Sequence, residues 1–361
     1  MKSGGGIVNP GMSVGVFALI ATFTDDPVGM CQAVQWTNVL CVLGFLLFAL
    51  IRIAPPERRV WLLGITLAAV NPLAVLFSRK IWAQDLMPAF ALLIILGHNM
   101  RGRGWAAFLW GFAGALMGQV HMSGFFYAFG LFAVTALHDH VNGHHTRWIP
   151  WIAGSLLGAV ALVPWILFML QHPQPTSTNI WMVLQGNFWF YWFIDPLGLD
   201  LYYTLREAFW GFIREPVIDG TPTMLVALLH LVLVLAALVA LRRILGHLKG
   251  AWSSIRAGWA WRASVKNMSV TDLHLASIFL GLGLFMSFSG ATIYQHYLIC
   301  TFPFTYIFIA RMLQGHRKLL GALMIAQLLI TLGFLLHIHL HDGAPHGDYG
   351  RTFRAQIVSG L

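Results

Sequence analysis

The segment LLGALMIAQLLITLGFLL, from Leu319 to Leu336, runs for 18 residues without a charged side chain. Arg317 and Lys318 directly precede it, and His337 follows it. A helix needs roughly 20 predominantly apolar residues to cross the hydrocarbon core of a bilayer, and somewhat shorter segments also suffice. We therefore predict that this segment is a transmembrane helix.

The composition of the whole chain agrees with that prediction. Of its 361 residues, 58% are hydrophobic and only 10% are charged, whereas soluble globular proteins carry about 25% charged residues. So little charge cannot cover a water-facing surface, and the same figures exclude disordered, collagen-like and coiled-coil chains. The three cysteines imply no disulfide framework. The net charge of +9 does not indicate nucleic acid as a partner, because in a membrane protein the position of the basic residues matters.

Nine further segments are similarly apolar, so we predict an all-α, polytopic integral membrane protein with about ten transmembrane helices. Met12 to Phe23 is too short to span and follows the turn signal Asn9-Pro10-Gly11, which predicts a juxtamembrane helix in the interface. The nine segments are Ala33 to Ile53, Val60 to Phe77, Leu86 to His98, Trp105 to Gly118, Met122 to Leu137, Trp148 to Leu170, Thr223 to Leu241, Leu273 to Ser289 and Tyr297 to Met312.

The charged residues sort unevenly between the two sets of loops that ten spans create. One side has 15 Lys and Arg residues against three acids, and the other has 7 against ten. The excess of basic residues marks the cytoplasmic side, which places both termini on the external face. We therefore divide the chain into a transmembrane domain, 1–338, and an external tail, 339–361. The domain includes an external loop, 171–222, and a basic cytoplasmic loop, 242–272.

Both long loops are predicted to lie along the membrane surface. The external loop holds an aromatic run from Phe188 to Phe193, which is typical either of amphipathic helices in the interface or of an aromatic belt. The cytoplasmic loop has six basic residues between Arg242 and Lys266. These suit an amphipathic helix on anionic lipid.

The external loop from Ser78 to Asp85, with the sequence SRKIWAQD, is the strongest candidate for a functional site. Arg79 and Lys80 suit phosphate recognition, since arginine offers a planar fork of donors and lysine a point charge. Asp85 is placed to act as a base or as a metal ligand. The alternative is that both cations reach lipid phosphates and that Asp85 pairs with one of them.

Several histidines are candidates for further sites. His121 and His296 lie on external turns, where they either bind a sugar or phosphate or simply satisfy local hydrogen bonds. Two groups could bind a metal, and each is also explained as an ordinary polar segment. One is cytoplasmic: His138, Asp139, His140, His144 and His145. The other is in the tail, where alternate spacing aligns the imidazoles only if the segment is extended: His337, His339, His341, Asp342 and His346.

Short motifs along most of the chain resemble membrane glycosyltransferases of the GT-C superfamily. The branch is the family 39-like group, which includes protein mannosyltransferases and lipid A aminoarabinose transferases. The motifs are Asn9-Pro10-Gly11, Asp25-Asp26-Pro27, Gln35-Trp36-Thr37-Asn38, the run from Asn71-Pro72 to Gln84-Asp85, Gln119-Val120-His121-Met122-Ser123, Gln295-His296-Tyr297 and Gly347-Asp348-Tyr349-Gly350.

The resemblance implies a multi-pass enzyme of the bacterial inner membrane with a GT-C-like fold. It would transfer a sugar from a polyprenyl-phosphate-linked donor to a glycan, lipid or protein acceptor on the external face, by an inverting displacement with a carboxylate base. A divalent metal ion is compatible with this chemistry, and no nucleotide cofactor is needed. Asp85 matches the family's second acidic position. The substrate-binding candidates are Arg79, Lys80, Gln84, His121, His296, Tyr297, Asp348 and Tyr349.

In that family the main catalytic acid lies in the first external loop, before the juxtamembrane helix. The chain starts after that point, so we expect it to lack a first transmembrane helix and loop, and it could be inactive as it stands. Asp25-Asp26 is better interpreted as a helix cap before Pro27 than as a substitute acid. Two other functions stay open: a transporter or flippase of a lipid-linked saccharide, and a non-catalytic membrane remnant.

Overall fold

A computed structural model describes residues 10–24, 26–143, 145–172, 186–256, 260–344 and 350–358. The described chain is almost entirely helical, which confirms the all-α prediction. The α-helices are α1 Met12–Ala21, α2 Pro27–Arg52, α3 Pro55–Val70, α4 Pro72–Phe77, α5 Met87–Asn99, α6 Gly104–Val120, α7 Ser123–Asn142, α8 Trp148–Ala159, α9 Val163–Gln171, α10 Asn187–Ile194, α11 Leu201–Leu205, α12 Phe209–Phe212, α13 Leu225–Arg256, α14 Trp261–Lys266, α15 Val270–Ile278, α16 Phe304–Leu313, α17 Arg317–Leu340 and α18 Phe353–Val358.

Short segments of other types connect these helices. Strands β1 (Val217–Ile218) and β2 (Thr221–Pro222) form one antiparallel hairpin, with Val217 opposite Pro222. Strands β3 (Gly343–Ala344) and β4 (Gly350–Arg351) form a second antiparallel pair. A π-helix, Phe279–Met286, continues α15. The 3-10 helices are Ala83–Leu86, Val160–Leu162, Asp195–Leu197, Arg206–Ala208 and Gln295–Thr301.

Four of the described helices are long and apolar enough to cross a bilayer. They are Pro27–Arg52, Trp148–Gln171, Leu225–Arg256 and Arg317–Leu340, and a fifth span results if Gln295–Thr301 and α16 form one bent segment. These helices indicate a membrane protein. Each of the ten predicted segments coincides largely with helix, and the predicted juxtamembrane segment contains α1.

Two predicted spans are interrupted, and in both cases a proline explains the break. The segment from Val60 to Phe77 divides at Asn71, whose Oδ1 accepts hydrogen bonds from the backbone N–H groups of Leu73 and Ala74 at 3.0 Å each. This caps α4, which starts at Pro72. The segment from Tyr297 to Met312 is broken at Pro303, which has no N–H to continue a helix.

The chain divides into two compact units. The first unit comprises Met1–Arg58, Arg79–Phe190 and Trp259–Phe304. The second unit comprises Arg59–Ser78, Tyr191–Gly258 and Thr305–Leu361. This division cuts across the sequence boundary drawn at 338, because each unit combines segments that are far apart in the chain.

In the first unit, α6 and α8 pack through glycines. A Cβ atom on Gly154 would overlap the carbonyl oxygen of Phe108, and one on Gly111 would overlap the carbonyl oxygen of Trp151. Gly158, four residues after Gly154, faces the carbonyl oxygen of Phe112 in the same way, at 2.8 Å. Small residues four apart allow helix backbones to approach closely, which is the usual basis of helix association in membranes.

The aromatic run of the external loop is partly a structural core. Phe188 is fully buried, and Trp192 is 3% exposed, whereas Trp189 and Phe190 are each about half exposed. The interpretation of the run as an interface belt is therefore wrong for the two buried rings. Loop residues 173–185 lie outside the described part of the chain. The predicted basic loop is not a loop throughout, because α13 continues to Arg256 and α14 follows.

The interpretation of Asp26 as a helix cap is confirmed. Its Oδ1 accepts a hydrogen bond from the backbone N–H of Gly29 at 2.8 Å, and Pro27 occupies the first position of α2. Proline suits that position because its missing N–H would have no partner within the helix. Asp25 lies outside the described residues.

Candidate functional site

Three short segments of the first unit bring the predicted site residues together. The first is the 3-10 helix Ala83–Leu86 with the residues before it. The second is the 3-10 helix Gln295–Thr301, which packs against the first. The third is the turn between α6 and α7, which carries His121. Each segment lies at a break between longer helices, where backbone and side chains can face a ligand.

Asp85 and Gln84 form the buried part of this site. Asp85 is 2% exposed and Gln84 is 5% exposed. Among the residues that the structure describes, neither carboxylate oxygen of Asp85 has a partner within hydrogen-bond geometry, the nearby backbone N–H of Trp82 included, and neither does Oε1 of Gln84. Buried polar atoms normally find partners, because leaving one unpaired costs about 1–3 kcal/mol. Three unpaired acceptor atoms at one position indicate a site that is completed by a ligand or by water.

Burial raises the pKa of the Asp85 carboxyl well above its usual range, and the positive charge of Lys80 offsets part of that shift. A carboxyl with a raised pKa is a stronger base once it is ionised. General bases work best when their pKa lies near the working pH. The upward shift moves the pKa of Asp85 toward that condition.

Lys80, Trp82 and His296 form the second part of the site. The ammonium group of Lys80 lies 5.2 Å from the centre of the Trp82 ring, within the range of a cation–π interaction. The Trp82 ring is 4.7 Å from the ring of His296, centre to centre. The half-exposed ring of Tyr294 also stacks on His296, with ring centres 5.6 Å apart and nearly parallel planes. A cation and several ring faces thus lie side by side.

His121 and Tyr297 complete this aromatic cluster. Their ring centres are 4.6 Å apart, and the His121 ring is 5.9 Å from that of His296. Nδ1 of His121 lies 2.8 Å from Oγ of Ser123 and accepts a hydrogen bond from the Ser123 backbone N–H at 3.4 Å. Because a backbone N–H can only donate, Nδ1 is unprotonated and the ring proton is on Nε2. Burial lowers the pKa of His121 to about 4, so the ring is neutral at physiological pH.

The remaining predicted site residues do not join this cluster in the same way. Arg79 is exposed, and its backbone carbonyl accepts a hydrogen bond from Sγ of Cys31 at 2.7 Å. Asp348 and Tyr349 lie outside the described residues, as does His346. Sequence reasoning overlooked Tyr294, although its position directly before the Gln295-His296-Tyr297 motif was a signal that could have identified it.

The histidine group around Asp139, predicted to be cytoplasmic, is a structural turn in the described chain. Asp139 is 1% exposed and its Oδ2 accepts a hydrogen bond from the backbone N–H of Thr146 at 2.9 Å. Its Oδ1 lies 3.4 Å from a guanidinium nitrogen of Arg101 and 3.6 Å from Nδ1 of His138. These contacts tie the end of α7 to neighbouring backbone, which favours the polar-loop interpretation. His144 lies outside the described residues.

The second unit buries a pair of carboxyl groups, Asp195 and Asp200. Asp200 is fully buried, and among the described residues neither of its carboxyl oxygens has a hydrogen-bond partner. Burial raises the pKa of Asp195 well above its usual range and that of Asp200 to about 6. Sequence reasoning treated both residues only as loop charges.

The chain shows no significant match to any protein-family model, to any curated protein or to any solved structure.

Proposed function

We propose that this chain is a membrane glycosyltransferase that uses a polyprenyl-phosphate-linked sugar as donor and has its site at Asp85. The observation that carries the proposal is the buried, unpartnered carboxylate of Asp85 beside the cation of Lys80 and a cluster of ring faces. The resemblance of the sequence motifs to family 39-like GT-C enzymes supports the same reaction. The proposal includes about ten spans, with Asp85 on the external side.

In the proposed reaction the Asp85 carboxylate accepts the proton of an acceptor hydroxyl group. The acceptor oxygen forms a bond to the anomeric carbon, and the bond from that carbon to the phosphate oxygen breaks. Polyprenyl phosphate leaves with the electron pair, so the configuration at the anomeric carbon inverts. Each group has the required chemical character: a base for the hydroxyl and a cation, Lys80, for the phosphate charge that develops.

The aromatic cluster has a separate role in this proposal. Ring faces such as those of Trp82 and Tyr297 offer flat apolar surfaces for a sugar ring. The proton on Nε2 of neutral His121 offers a hydrogen-bond donor, and the unpaired Oε1 of Gln84 offers an acceptor. Together they would orient a hydroxylated ligand above the buried carboxylate. A divalent ion could assist at the departing phosphate, with Asp85 as an available oxygen ligand.

The test is turnover of a polyprenyl-phosphate sugar by the purified full chain in lipid nanodiscs. Loss of a general base typically lowers the rate by about 100-fold or more, so Asp85→Asn should reduce turnover by at least that factor. Asp219→Asn is a matched control, because it makes the same chemical change at an exposed acid in the β1–β2 turn. Turnover by the unchanged chain should increase as pH rises through the raised pKa of Asp85, since only the carboxylate can accept the proton.

Two outcomes would contradict the proposal. If the purified chain consumes none of a panel of polyprenyl-phosphate sugars, the proposal that this chain is itself an active enzyme of this class fails. If Asp85→Asn keeps full turnover, the reaction does not depend on Asp85. Movement of a labelled lipid-linked saccharide across the bilayer without its consumption would instead favour the transporter or flippase.

A further inference from the structure

The last long helix, α17, ends in a histidine pair that faces a glutamate from a distant loop. His337 and His341 are four residues apart, so one helical turn places both on the same face. Their ring centres are 4.2 Å apart. Glu215 lies two residues before the start of strand β1 and 122 residues before His337 in the sequence. Its Oε1 is 2.6 Å from Nδ1 of His337. All three residues belong to the second unit.

We propose that Glu215, His337 and His341 bind a divalent transition-metal ion of the zinc type. One ligand atom from each residue lies within 4.8 Å of the other two. Zinc binds nitrogen and carboxylate oxygen at about 2.0–2.2 Å, which sets the ligand atoms of a tetrahedral site roughly 3.5 Å apart. To reach that distance, the 2.6 Å contact between Oε1 of Glu215 and Nδ1 of His337 must lengthen as the ion enters, while the wider separations shorten. This site is independent of the proposed function at Asp85.

The hydrogen bonds around the pair prepare a nitrogen for metal binding. Nδ1 of His341 lies 2.9 Å from the backbone carbonyl oxygen of His337. A carbonyl oxygen can only accept, so the proton is on Nδ1 and the lone pair is on Nε2. Histidines that bind metals typically donate their other ring N–H to a carbonyl or a carboxylate, which fixes the ring orientation. His341 is held in this way.

Burial of the other two ligands also favours an ion. His337 is 4% exposed and its ring packs 5.4 Å from that of Phe212, while the side chain of Glu215 is 17% exposed. A carboxylate in such surroundings needs a positive partner, because removing its charge from water is costly. Two imidazoles and one carboxylate are the donor set of several zinc sites with three protein ligands. The exposed side of His341 leaves a fourth position open to water or to another ligand.

The helical geometry also explains why His339 is excluded. The tail was predicted to align three imidazoles only if it were extended, whereas α17 continues to Leu340. Two residues along a helix correspond to a rotation of about 200°, so His339 points away from the face of His337. The variant His339→Ala is therefore a matched control, because it removes one histidine from the same helical turn without changing the proposed ligands.

The experiment is a cobalt titration of the full-length protein in detergent after treatment with a chelator. Co²⁺ is the probe, because its visible absorption becomes strong in four- or five-coordinate sites. The unchanged protein should bind one equivalent tightly, and Zn²⁺ should displace it. Loss of a residue that only hydrogen-bonds to a metal ligand typically weakens metal binding by about 10–100-fold. Because His341 is proposed to bind the ion directly, His341→Ala should weaken cobalt binding by at least about 100-fold. Glu215→Gln should also weaken binding, and His339→Ala should bind as the unchanged protein does.

The chain has 16 histidines, so weak binding elsewhere is expected, and the comparison of variants decides the result. The proposal is overturned if the unchanged protein gives no one-to-one cobalt spectrum. It is equally overturned if His341→Ala binds as tightly as His339→Ala. Gel filtration shows whether each variant is folded. If His341→Ala does not fold, cobalt binding by Glu215→Gln is compared with that by His339→Ala instead, and equal affinities overturn the proposal. Loss of glycosyl transfer alone would bear on Asp85 and not on this site.

Discussion

Replacing Gly154 with alanine is expected to separate α6 from α8. The added methyl group would overlap the carbonyl oxygen of Phe108 and lie 2.9 Å from its carbonyl carbon and 3.1 Å from its Cα. Non-bonded carbon atoms normally approach to about 3.5 Å, so the helices must move apart locally. All three atoms belong to the backbone, so no side-chain rotation can relieve the overlap.

The magnitude follows from two opposing effects. Overpacking of a tight contact costs about 1–3 kcal/mol, while alanine is favoured over glycine in a helix by about 1 kcal/mol. The net effect of Gly154→Ala is therefore a destabilisation of up to about 2 kcal/mol. Gly321→Ala in α17 is the matched control, because nothing lies within 4 Å of the position of its added Cβ. Both variants gain the same helix propensity, and only Gly154→Ala has the overpacking cost, so the two should differ by about 1–3 kcal/mol.

Thermal unfolding of the purified protein in detergent would measure this difference. The three cysteines are free, and Cys41 and Cys300 are buried, so a thiol-reactive dye reports unfolding as they become exposed. A difference of about 1–3 kcal/mol corresponds to roughly 1–4 °C in Tm for a chain of this size. If Gly154→Ala is as stable as Gly321→Ala, the close approach of α6 and α8 described above is incorrect.

Two further predictions concern buried polar groups of the second unit. The native pKa of Asp200, about 6, exceeds the value of about 3.9 in an unfolded chain, so stability decreases as pH rises between these values. Asp200→Asn, which cannot ionise, should be more stable than the unchanged protein at pH 8 by up to about 3 kcal/mol and equal to it at pH 4; equal Tm differences at both pH values would contradict this. Asn71→Ala should lower stability by about 2–4 kcal/mol, because it removes the cap of α4 and the 2.9 Å hydrogen bond to the carbonyl oxygen of Asp195. Asn71→Ser keeps a capping oxygen at this fully buried position without introducing a charge and should recover part of that loss in the same unfolding assay, and an equal loss in both variants would contradict a contribution from the cap.

The helices were predictable from the sequence because apolar runs are local signals. Each predicted span is a predominantly apolar stretch, and in a membrane the backbone of such a stretch must satisfy its own hydrogen bonds. The break at Asn71 was harder to predict. Asn71-Pro72 is a recognisable start of a helix, but it lies inside an apolar run that is long enough to span. The position of the break is fixed by two interactions of Asn71: its side chain caps α4, and it donates a hydrogen bond to the carbonyl oxygen of Asp195, 124 residues away.

The candidate site was predictable to the extent that it is local. Lys80, Gln84 and Asp85 lie within six residues of each other, and their mixture of charges in an apolar chain was visible at once. The third ligand of the proposed metal site was not visible, because Glu215 has no feature in the sequence that connects it to α17. Hydrophobic periodicity predicts which residues share a helix face, and it contains no information about which distant loop reaches that face.

The contrast between Asp139 and Asp85 shows what burial adds to the sequence. Both acids lie close in sequence to basic residues or histidines, and both are almost completely buried. Asp139 has a backbone N–H and a guanidinium within reach of its oxygens, so its partners are internal and its replacement should mainly affect stability. For Asp85 the described chain offers neither oxygen a hydrogen bond. A buried carboxylate without internal partners is costly to keep, and under the proposed function the cost is offset because the reaction needs a base at this position.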